Sequence, residues 1–493
     1  MAMMITPDTR TQLARDVHIL VQFDEEYCHA DYFNDVMNHR FSFNGETYCF
    51  ESPINWLENP SQDLEWHILL HKFYYAVGLA REFTQTDDAR YLLCFQDLVQ
   101  SWIEQTPPGF IATDVTGRRV QNWVYAWYLF HRTERHTFGD DFEKLFLDSL
   151  VEQVNYIIQH LAPARNNRTL ELYAVFLAGI AFPRLDQSAH WREVAIRKMV
   201  FNIESDLLTD GVHCELATDY HHIVLRNYLL FYQLAKLNGI QLDPRVRPHL
   251  CKALTYSMHI HRPDGYIPAL SDSDSRSYLY LLEWGATLFE RDDFAFVASF
   301  GKRGQAPKSA NIVFESSGYA VLRSPWVTDE PYLHGRYLVF DCGPIGVGNH
   351  GHLDSLSIEI AAFGHPLIVD PGRYTYMESG ATNWRARFRS ARAHNTVTVD
   401  DQDQAIYRNE GTSKKKIREP YPQTSLVSSQ VRGYMPYLRG RVTSPNYDAV
   451  DDRHIWFPRS RYWLILDSLA ANKLQLQCLL SIPRSPSTNS RRF

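Results

Sequence analysis

Residues 350–360 have the sequence HGHLDSLSIEI, and this stretch decides the fold class of the C-terminal part. Leu356, Ile358 and Ile360 alternate with polar residues, which is the period of a half-buried β-strand. Other short strand-like segments flank it, separated by Gly, Pro and Asp turns; they are Tyr319–Arg323, Tyr337–Cys342, Thr396–Val399 and Tyr462–Leu466. The pattern predicts an antiparallel β-sandwich.

The chain before residue 305 has the spacing of helices instead. Apolar residues recur every three or four positions, with turn-forming clusters such as TPPG and HRPDG between the segments. The predicted helices are Leu64–Phe83, Ala89–Glu104, Arg118–Glu134, Phe142–Leu161, Thr169–Phe182, His190–Glu204, Asp219–Leu237, Arg247–His261 and Arg276–Glu290. With no strand pattern between them, they predict helical hairpins packed side by side.

The two patterns meet at GQAPKSAN, which has the composition of a linker. We therefore expect a helical domain over residues 1–305 and a β-sandwich domain over residues 306–493. The last residues, SIPRSPSTNSRRF, are polar and patternless, so we expect the sandwich to lack its final strands.

Composition narrows the classes of function. The formal net charge of the 493 residues is −7, which disfavours a general nucleic-acid binder. The N-terminus lacks the apolar run of a secretory signal, and no stretch is apolar enough to span a membrane. The chain as given is expected to be cytoplasmic, or periplasmic or secreted if a leader was removed. The seven Cys include no CxxC pair and are expected to be free thiols.

Two polar clusters lie in the helical part. Asn166 to Glu171 opens an apolar helix; Asn167 could cap that helix and Glu171 would suit its first turns. DGVHCELATDYHH, residues 210–222, is dense in His and acidic side chains around Tyr220. Alternatively, residues 210–222 form a solvated loop in which Thr218 or Asp219 caps the next helix.

Two more clusters lie in the β part. His350, His352 and Asp354 fall on one face of an extended chain, as in a metal site or an acid/base pair; a solvated strand edge is the alternative. Four Arg between residues 385 and 392 suit the recognition of an anion, or alternatively a solvated strand.

These motifs resemble the heparinase II/III family. HGHLDSLSIEI, GHPLIVDPGRYTY and FRSARAHNTVTVD are similar to its C-terminal domain; DGVHCELATDYHH and ARNNRTLELYAVFLAGIAFP are similar to its helical segments. The resemblance implies an incomplete (α/α) toroid followed by an antiparallel β-sandwich. It also implies a polysaccharide lyase that cleaves a uronate-containing chain, such as a glycosaminoglycan or alginate, by β-elimination.

The resemblance also implies roles for single residues. Tyr220 matches the catalytic Tyr, His350 a His from the β-domain, and Asn166 the Asn that contacts the uronate carboxylate. The resemblance further implies a structural divalent metal, expected to be zinc, whose ligands are matched by His352, Asp370 and His394. Many members have a His where this chain has Asn167 or Arg168, so the base here is expected to be Tyr220 or His350.

The remaining polar residues of the clusters are expected to contact the substrate, an acidic polysaccharide or oligosaccharide. They are Asn167, Arg168, Glu171, Glu215, His221 and Arg389. Donors near the uronate carboxylate would stabilise charge as the C5 proton leaves, while an acid protonates the departing O4. A Tyr beside cationic side chains loses its proton more readily than a free phenol, which would suit Tyr220 for this transfer.

Two alternatives stay open. A glycoside hydrolase on the same toroid would need two carboxylates, for which the candidates are Glu171, Glu215, Asp219 and Asp272. A non-catalytic polysaccharide-binding or assembly protein would bind chains without forming product. The sequence alone specifies neither the uronate, nor its sulfation, nor endo or exo action, nor the oligomeric state.

Overall fold

The computed structural model describes residues 17–23, 27, 29–133, 138–376, 378, 381–408 and 416–471. They belong to two compact units, which we describe separately. The first consists of Met1–Ile203 and Asn227–Val246, and the second of Glu204–Arg226 and Arg247–Phe493. Helices precede residue 299 and antiparallel sheets follow, which confirms the predicted order of the fold class.

The helices before residue 299 are numbered along the chain. They are α1 Ala30–Met37, α2 Leu64–Lys72, α3 Tyr74–Thr86, α4 Ala89–Gln105, α5 Thr113–Phe130, α6 Asp140–Gln159, α7 Arg165–Ala181, α8 Ser188–Asp206, α9 Thr218–Leu237, α10 Val246–Ile260, α11 Leu279–Phe289 and α12 Asp292–Ala298. Among the described helices, none has the combination of length and apolar character needed to cross a bilayer.

Helix packing in the first unit follows the apolar spacing of the sequence. Helix α5 packs against α3 and α7, and its buried Trp123 meets Trp102 of α4 edge to face, with ring centroids 5.4 Å apart. Such aromatic pairs contribute beyond their buried area. One predicted helix is divided into α2 and α3, because Phe73 between them adopts a left-handed backbone with φ of 57°.

The second unit contains two larger sheets. The first has the strand order β3 Ile312–Phe314, β4 Tyr319–Arg323, β5 Tyr337–Asp341, β6 Ile358–Ala362 and β7 His365–Ile368. The second has the order β10 Gln423–Gln430, β11 Tyr437–Thr443, β12 Ala449–Trp456 and β13 Leu464–Ala471. Two short strands, β8 Ile406–Tyr407 and β9 Ile417–Arg418, form a separate pair, and every pairing is antiparallel.

The two larger sheets share one hydrophobic core. Phe340 and Ile358 from the first sheet pack in the same buried cluster as Leu438 and Ile455 from the second. Gly440 lies where the sheets approach closely: a Cβ there would come within 2.6 Å of the side chains of Phe340, Cys342 and Leu356. A glycine is required at this position because any side chain would force the sheets apart.

The sequence-based assignment is wrong in several places. Strand β6 is not half-buried, because Glu359 is buried in an ion pair with Arg262 at 2.7 Å. Residues 396–399 form only an isolated bridge between Val399 and Gln402. A hairpin of β1 Arg40–Phe43 and β2 Glu46–Cys49 interrupts the helical part, where no strand was expected.

The proposed domain boundary near residue 305 remains a prediction. The last of the described helices before the sheets ends at Ala298 and the first strand of the sandwich begins at Ile312. By internal contacts, however, Glu204–Arg226 and the chain from Arg247 onward belong to the unit that contains the sandwich. The segment that carries Tyr220 is therefore part of that unit.

Candidate functional site

The start of α9 positions Tyr220, and the segment 268–278 holds this helix start in place. The Thr218 hydroxyl donates to the Pro268 carbonyl at 2.6 Å, and the Asp219 amide donates to Ser273 Oγ at 3.0 Å. The hydroxyl of Tyr278 donates to the Asp219 carboxylate. The polar segment around Tyr220, residues 210–222, is not solvated as one interpretation had it, because all three of its histidines are buried: His213, His221 and His222.

The side chain of Tyr220 lies between an imidazole and a second phenol. Its ring stacks on that of His350, with centroids 3.8 Å apart and planes 29° apart, and its hydroxyl lies 2.7 Å from the hydroxyl of Tyr376. Burial, followed by the contact with Tyr376, holds the pKa of Tyr220 well above its ordinary value. This environment therefore opposes the expected ease of deprotonation and favours the protonated phenol of Tyr220.

Four cationic or potentially cationic side chains contact the carboxylate of Asp272. His350 Nδ1 lies 3.1 Å from Oδ2 and His352 Nε2 lies 3.0 Å from Oδ1. Arg385 Nη2 and Arg389 Nη2 donate to Oδ2 at 2.7 and 2.8 Å. Burial alone would raise the pKa of Asp272, but the histidine hydrogen bonds and the Arg389 charge hold it well below its ordinary value.

The bond to Asp272 fixes the tautomer of neutral His350. An ionised carboxylate only accepts hydrogen bonds, so the hydrogen of the imidazole must be on Nδ1. Nε2 then carries a lone pair, and the stacked ring of Tyr220 lies alongside the imidazole. This arrangement places a proton acceptor next to a proton donor, which is what an elimination reaction needs.

The arginine cluster is a helix rather than a solvated strand. Arg385 and Arg389 are four residues apart in α13, Trp384–Arg389, so both lie on one helix face and reach Asp272. Arg389 also donates to the carbonyl of Asn349, and only 1% of it is exposed. Arg387 and Arg392 are exposed, and Arg392 pairs with Asp401.

His352, Asp370 and His394 come together as the motifs predicted. One potential ligand atom from each lies within 4.8 Å of the others, and all three residues are buried. His394 Nδ1 lies 3.0 Å from Asp370 Oδ2, while His352 Nδ1 and His394 Nε2 have no hydrogen-bond partner among the residues that the structure describes. Unpartnered ring nitrogens in a buried site are costly unless a ligand binds them, so this donor set fits a divalent metal.

Tyr376 is held by two arginines. The guanidinium of Arg373 lies 4.6 Å from its ring centroid and that of Arg385 lies 4.5 Å away. Burial, followed by the charge of Asp272, raises the pKa of Tyr376, and the two arginines oppose this rise. Arg373 is itself anchored by Asp274 at 2.8 Å.

Four of the predicted site residues belong to the first unit. Asn166 lies in the first turn of α7, where its Oδ1 accepts from the Asn167 amide at 2.6 Å. Asn167 is exposed but is not the helix cap, because the N-cap is Ala164, which makes no side-chain cap bond. Arg168 donates to the Pro163 carbonyl at 2.6 Å. The carboxylate of fully buried Glu171 accepts from the Thr113 hydroxyl and the Ala162 amide.

Several predicted substrate contacts are buried in this structure. Glu215 lies 3.7 Å from His213, and His221 Nε2 lies 3.2 Å from the Ala253 carbonyl. Neither residue is more than 2% exposed. Their burial, like that of Glu171 and Arg389, favours a supporting role inside the fold, and their contacts with substrate stay predictions.

The carboxylates proposed for a hydrolase are also buried. Glu171, Glu215, Asp219 and Asp272 are each at most 7% exposed. Asp272, which contacts the His350 that stacks on Tyr220, is bound by two histidines and two arginines. A glycosidase needs two carboxyl groups that reach the scissile bond, so this geometry does not favour the hydrolase alternative.

The sequence did not reveal the contacts that place four further residues in the site around Tyr220 and His350. They are Asp272, Tyr376, Arg373 and Arg385. Asp272 was noted only as a carboxylate, although its acidic setting in LSDSDSRS was visible. Tyr376 and Arg373 lie in GRYTY directly after the metal-ligand candidate Asp370. Their contacts with Tyr220, Asp272 and Asp274 cross 99 to 156 residues of chain, so spacing alone carried no signal for them.

Comparisons with known proteins agree with the fold. The chain matches two family descriptions: Heparinase II/III N-terminus over residues 17–294, and Heparinase II/III-like, C-terminal over residues 306–480. A heparin-sulfate lyase of Pedobacter heparinus is 24% identical over 439 residues, which are 85% of this chain and 62% of that protein. A heparin-sulfate lyase of Bacteroides stercoris is 22% identical over 482 residues, 90% of this chain and 68% of that protein.

Solved structures show the same architecture. A crystal structure of heparinase III has a TM-score of 0.80 at 19% identity, with 94% of this chain and 75% of that chain covered. The heparan sulfate lyase HepC from Pedobacter heparinus has a TM-score of 0.67 at 21% identity, with 94% and 73% covered. At such identities the likeness establishes the fold alone. The chain spans 62% of the length of the first of the curated relatives.

Proposed function

The chain belongs to the heparinase II/III family, and from that premise we propose that it is a polysaccharide lyase. Its proposed substrate is a uronate-containing glycosaminoglycan, the class named by the curated relatives, which are heparin-sulfate lyases. The observation that carries the proposal is the Tyr220 phenol stacked on His350, whose Nδ1 is bound to Asp272.

The proposed reaction transfers two protons. His350 Nε2 takes the proton from C5 of the uronate, because its other nitrogen is committed to Asp272. The electron pair of the C–H bond forms the C4–C5 double bond, and the C4–O4 bond breaks. Tyr220, whose raised pKa keeps it protonated, then gives its hydroxyl proton to the departing O4.

Asn166 and Arg168 keep their predicted role at the uronate carboxylate. Both carry donors, and charge accumulates on that carboxylate as the C5 proton leaves. Preorganised donors stabilise such charge more effectively than water does. This part of the proposal rests on the family resemblance and on side-chain chemistry.

A divalent metal, zinc, is proposed to bind to His352, Asp370 and His394. The two unpartnered ring nitrogens and the buried carboxylate support this donor set. When bound, the metal would supply structural cross-linking of the segments that carry these ligands. Asp272 would orient His352 through Nε2, as carboxylates commonly do for metal-binding histidines.

The test of the function is a panel of uronic-acid polysaccharides that includes heparan sulfate, chondroitin sulfate, hyaluronan and alginate. A lyase produces a C4–C5 double bond that absorbs in the ultraviolet, whereas a hydrolase produces new ends without it. We expect ultraviolet-absorbing product from at least one glycosaminoglycan. New reducing ends without absorbance would support a hydrolase, and binding without any cleavage would support a non-catalytic protein.

A further inference from the structure

Three aromatic side chains, two exposed and one half-buried, form a surface that the proposed proton transfers do not use. Tyr374 stacks on Phe388, with ring centroids 4.8 Å apart and planes 12° apart, and Trp384 lies 5.9 Å from Tyr374 and 6.2 Å from Phe388. Tyr374 is 63% exposed and Trp384 is 43% exposed. We call these three residues the aromatic platform.

Its exposure suggests a binding function. Large aromatic side chains stabilise a fold when buried, and contiguous exposed apolar patches usually mark binding sites. Tyr374 also adopts a left-handed backbone, with φ of 56°, which is unfavourable for a bulky residue and is typically maintained at functional positions.

Its surroundings favour an acidic sugar chain over other ligands. The exposed Arg387 places its guanidinium 5.4 Å from the Trp384 ring centroid, so a cation borders the flat surface. Aromatic faces suit the C–H faces of pyranose rings, and guanidinium groups suit carboxylates and sulfates. A neutral apolar ligand would use the rings but would not need the cation.

The platform is continuous with the candidate site. Tyr374 precedes Tyr376 by two residues, and Tyr376 contacts the Tyr220 hydroxyl. Trp384 precedes Arg385, which donates to the Thr375 carbonyl at 3.1 Å and lies over the Tyr376 ring. A polymer that has one unit at Tyr220 and extends past Tyr376 would therefore reach the platform.

We propose that Tyr374, Trp384 and Phe388 form a subsite that binds a pyranose ring of an acidic polysaccharide, next to the unit that reacts. The occupant is inferred from the proposed function, and Arg387 would bind an anionic group of that ring or its neighbour. The platform contributes affinity for long chains and does not take part in the proton transfers.

Binding is tested in a Tyr220→Phe background, so that the ligand is not consumed. The probes are a short and a long heparan sulfate oligosaccharide, titrated by calorimetry. Trp384→Ala is expected to weaken binding of the long probe about ten-fold, which corresponds to about 1.4 kcal/mol and lies in the range of one aromatic stacking contact. The short probe should bind almost unchanged, and Trp384→Phe, which keeps a ring, should restore most of the affinity.

The matched control is Tyr434→Ala, which removes an 88% exposed aromatic residue elsewhere in the same unit. The platform would be overturned if Trp384→Ala and Tyr434→Ala bound the long probe equally well. It would also be overturned if Trp384→Ala lost the same affinity for the short probe as for the long one. Turnover distinguishes this inference from the lyase proposal. If the protein with Tyr220 intact forms no unsaturated product while binding still depends on Trp384, only the lyase is overturned. If it forms product while Trp384→Ala leaves binding of the long probe unchanged, only the platform is overturned.

Discussion

The ring of His350 lies against the ring of Tyr220, with 3.8 Å between their centroids, while the Nδ1 atom of His350 contacts Asp272. One imidazole is thus held by a carboxylate at its edge and by a phenol at its face. We assign proton transfer to His350 and Tyr220. Their side chains are therefore fixed relative to each other before a substrate binds.

Tyr220→Phe removes only a hydroxyl and should leave the fold intact. We expect turnover to fall about a hundred- to ten-thousand-fold, the usual contribution of a general acid or base. Formation of ultraviolet-absorbing product measures it, with Tyr434→Phe as the control because Tyr434 is exposed and remote in sequence. Near wild-type rates in Tyr220→Phe would mean that Tyr220 only packs at the start of α9.

Asn166→Ala is expected to lower turnover about a hundred- to a thousand-fold, if its amide stabilises the charge that develops on the uronate carboxylate. The exposed Gln159 provides the control, because Gln159→Ala removes a side-chain amide in the same unit at a position that has no predicted contact with substrate. Initial rates over a range of substrate concentrations separate kcat from KM. Equal effects of the two substitutions would contradict the assignment of Asn166.

Asp272→Asn should destabilise the second unit. The amide nitrogen of Asn would face donors, and Arg385 and Arg389 would lose their buried counter-charge. Breaking a buried ion pair from one side costs about 3–5 kcal/mol. Denaturant unfolding checks this against Glu283→Gln, whose exposed pair with Arg303 should contribute no more than about 1 kcal/mol. Equal effects would show that the network around Asp272 contributes little stability.

His352, Asp370 and His394 are expected to hold one divalent ion per chain. Elemental analysis of protein purified without added metal or chelator should find it, and His394→Ala should abolish it. His454→Ala should leave the metal content unchanged, because His454 lies in β12, hydrogen-bonded to Tyr437. Wild-type protein with no stoichiometric metal would refute the site, and an unchanged Tm after metal removal would refute its structural role.

Glu171 should make the stability of the first unit depend on pH. Burial raises its pKa from 4.5 to about 7, although hydrogen bonds from Thr113 and Ala162 oppose the rise. Since the folded pKa is above the unfolded value, its stabilising contribution is complete below about pH 4.5 and lost as pH rises through about 7. In the wild type this group should lower the free energy of unfolding by about 3 kcal/mol between acidic and slightly alkaline pH. Glu171→Gln should not show this decrease, because its side chain does not ionise.

The control for Glu171→Gln is Glu152→Gln, which changes an exposed carboxylate in the same unit. Unfolding free energies measured across that pH range should show the same slope for Glu152→Gln and the wild type. A slope equally unchanged in Glu171→Gln would mean that its carboxyl is ionised in the folded protein at lower pH than we expect.

Sequence patterns predicted the parts of the site that depend on local geometry. The i and i+2 spacing of His350 and His352 correctly indicated that both side chains reach the same region, since both contact Asp272. Strand β4 was predicted with the bounds Tyr319–Arg323 that it has. Residues close in sequence share their neighbours, and period and spacing reveal this.

Patterns failed where a polar residue finds its partner far along the chain. Glu359 has the position of a solvent-facing strand residue, yet Arg262 neutralises it in the interior. Asp272 is bound by His350 and Arg389, which lie 78 and 117 residues later. Alternation of polar and apolar residues cannot distinguish a solvated carboxylate from one paired inside the protein.

These long separations also set the order in which the protein can fold. The hydroxyl groups of Tyr220 and Tyr376 meet across 156 residues of chain. Closing such loops costs entropy that local helices do not incur, so contacts of this kind form late. A nascent chain that has emerged only to residue 350 contains Tyr220 and Asp272 but not the arginines of α13. Asp272 must then stay hydrated, so the reactive centre is assembled only after synthesis of that helix.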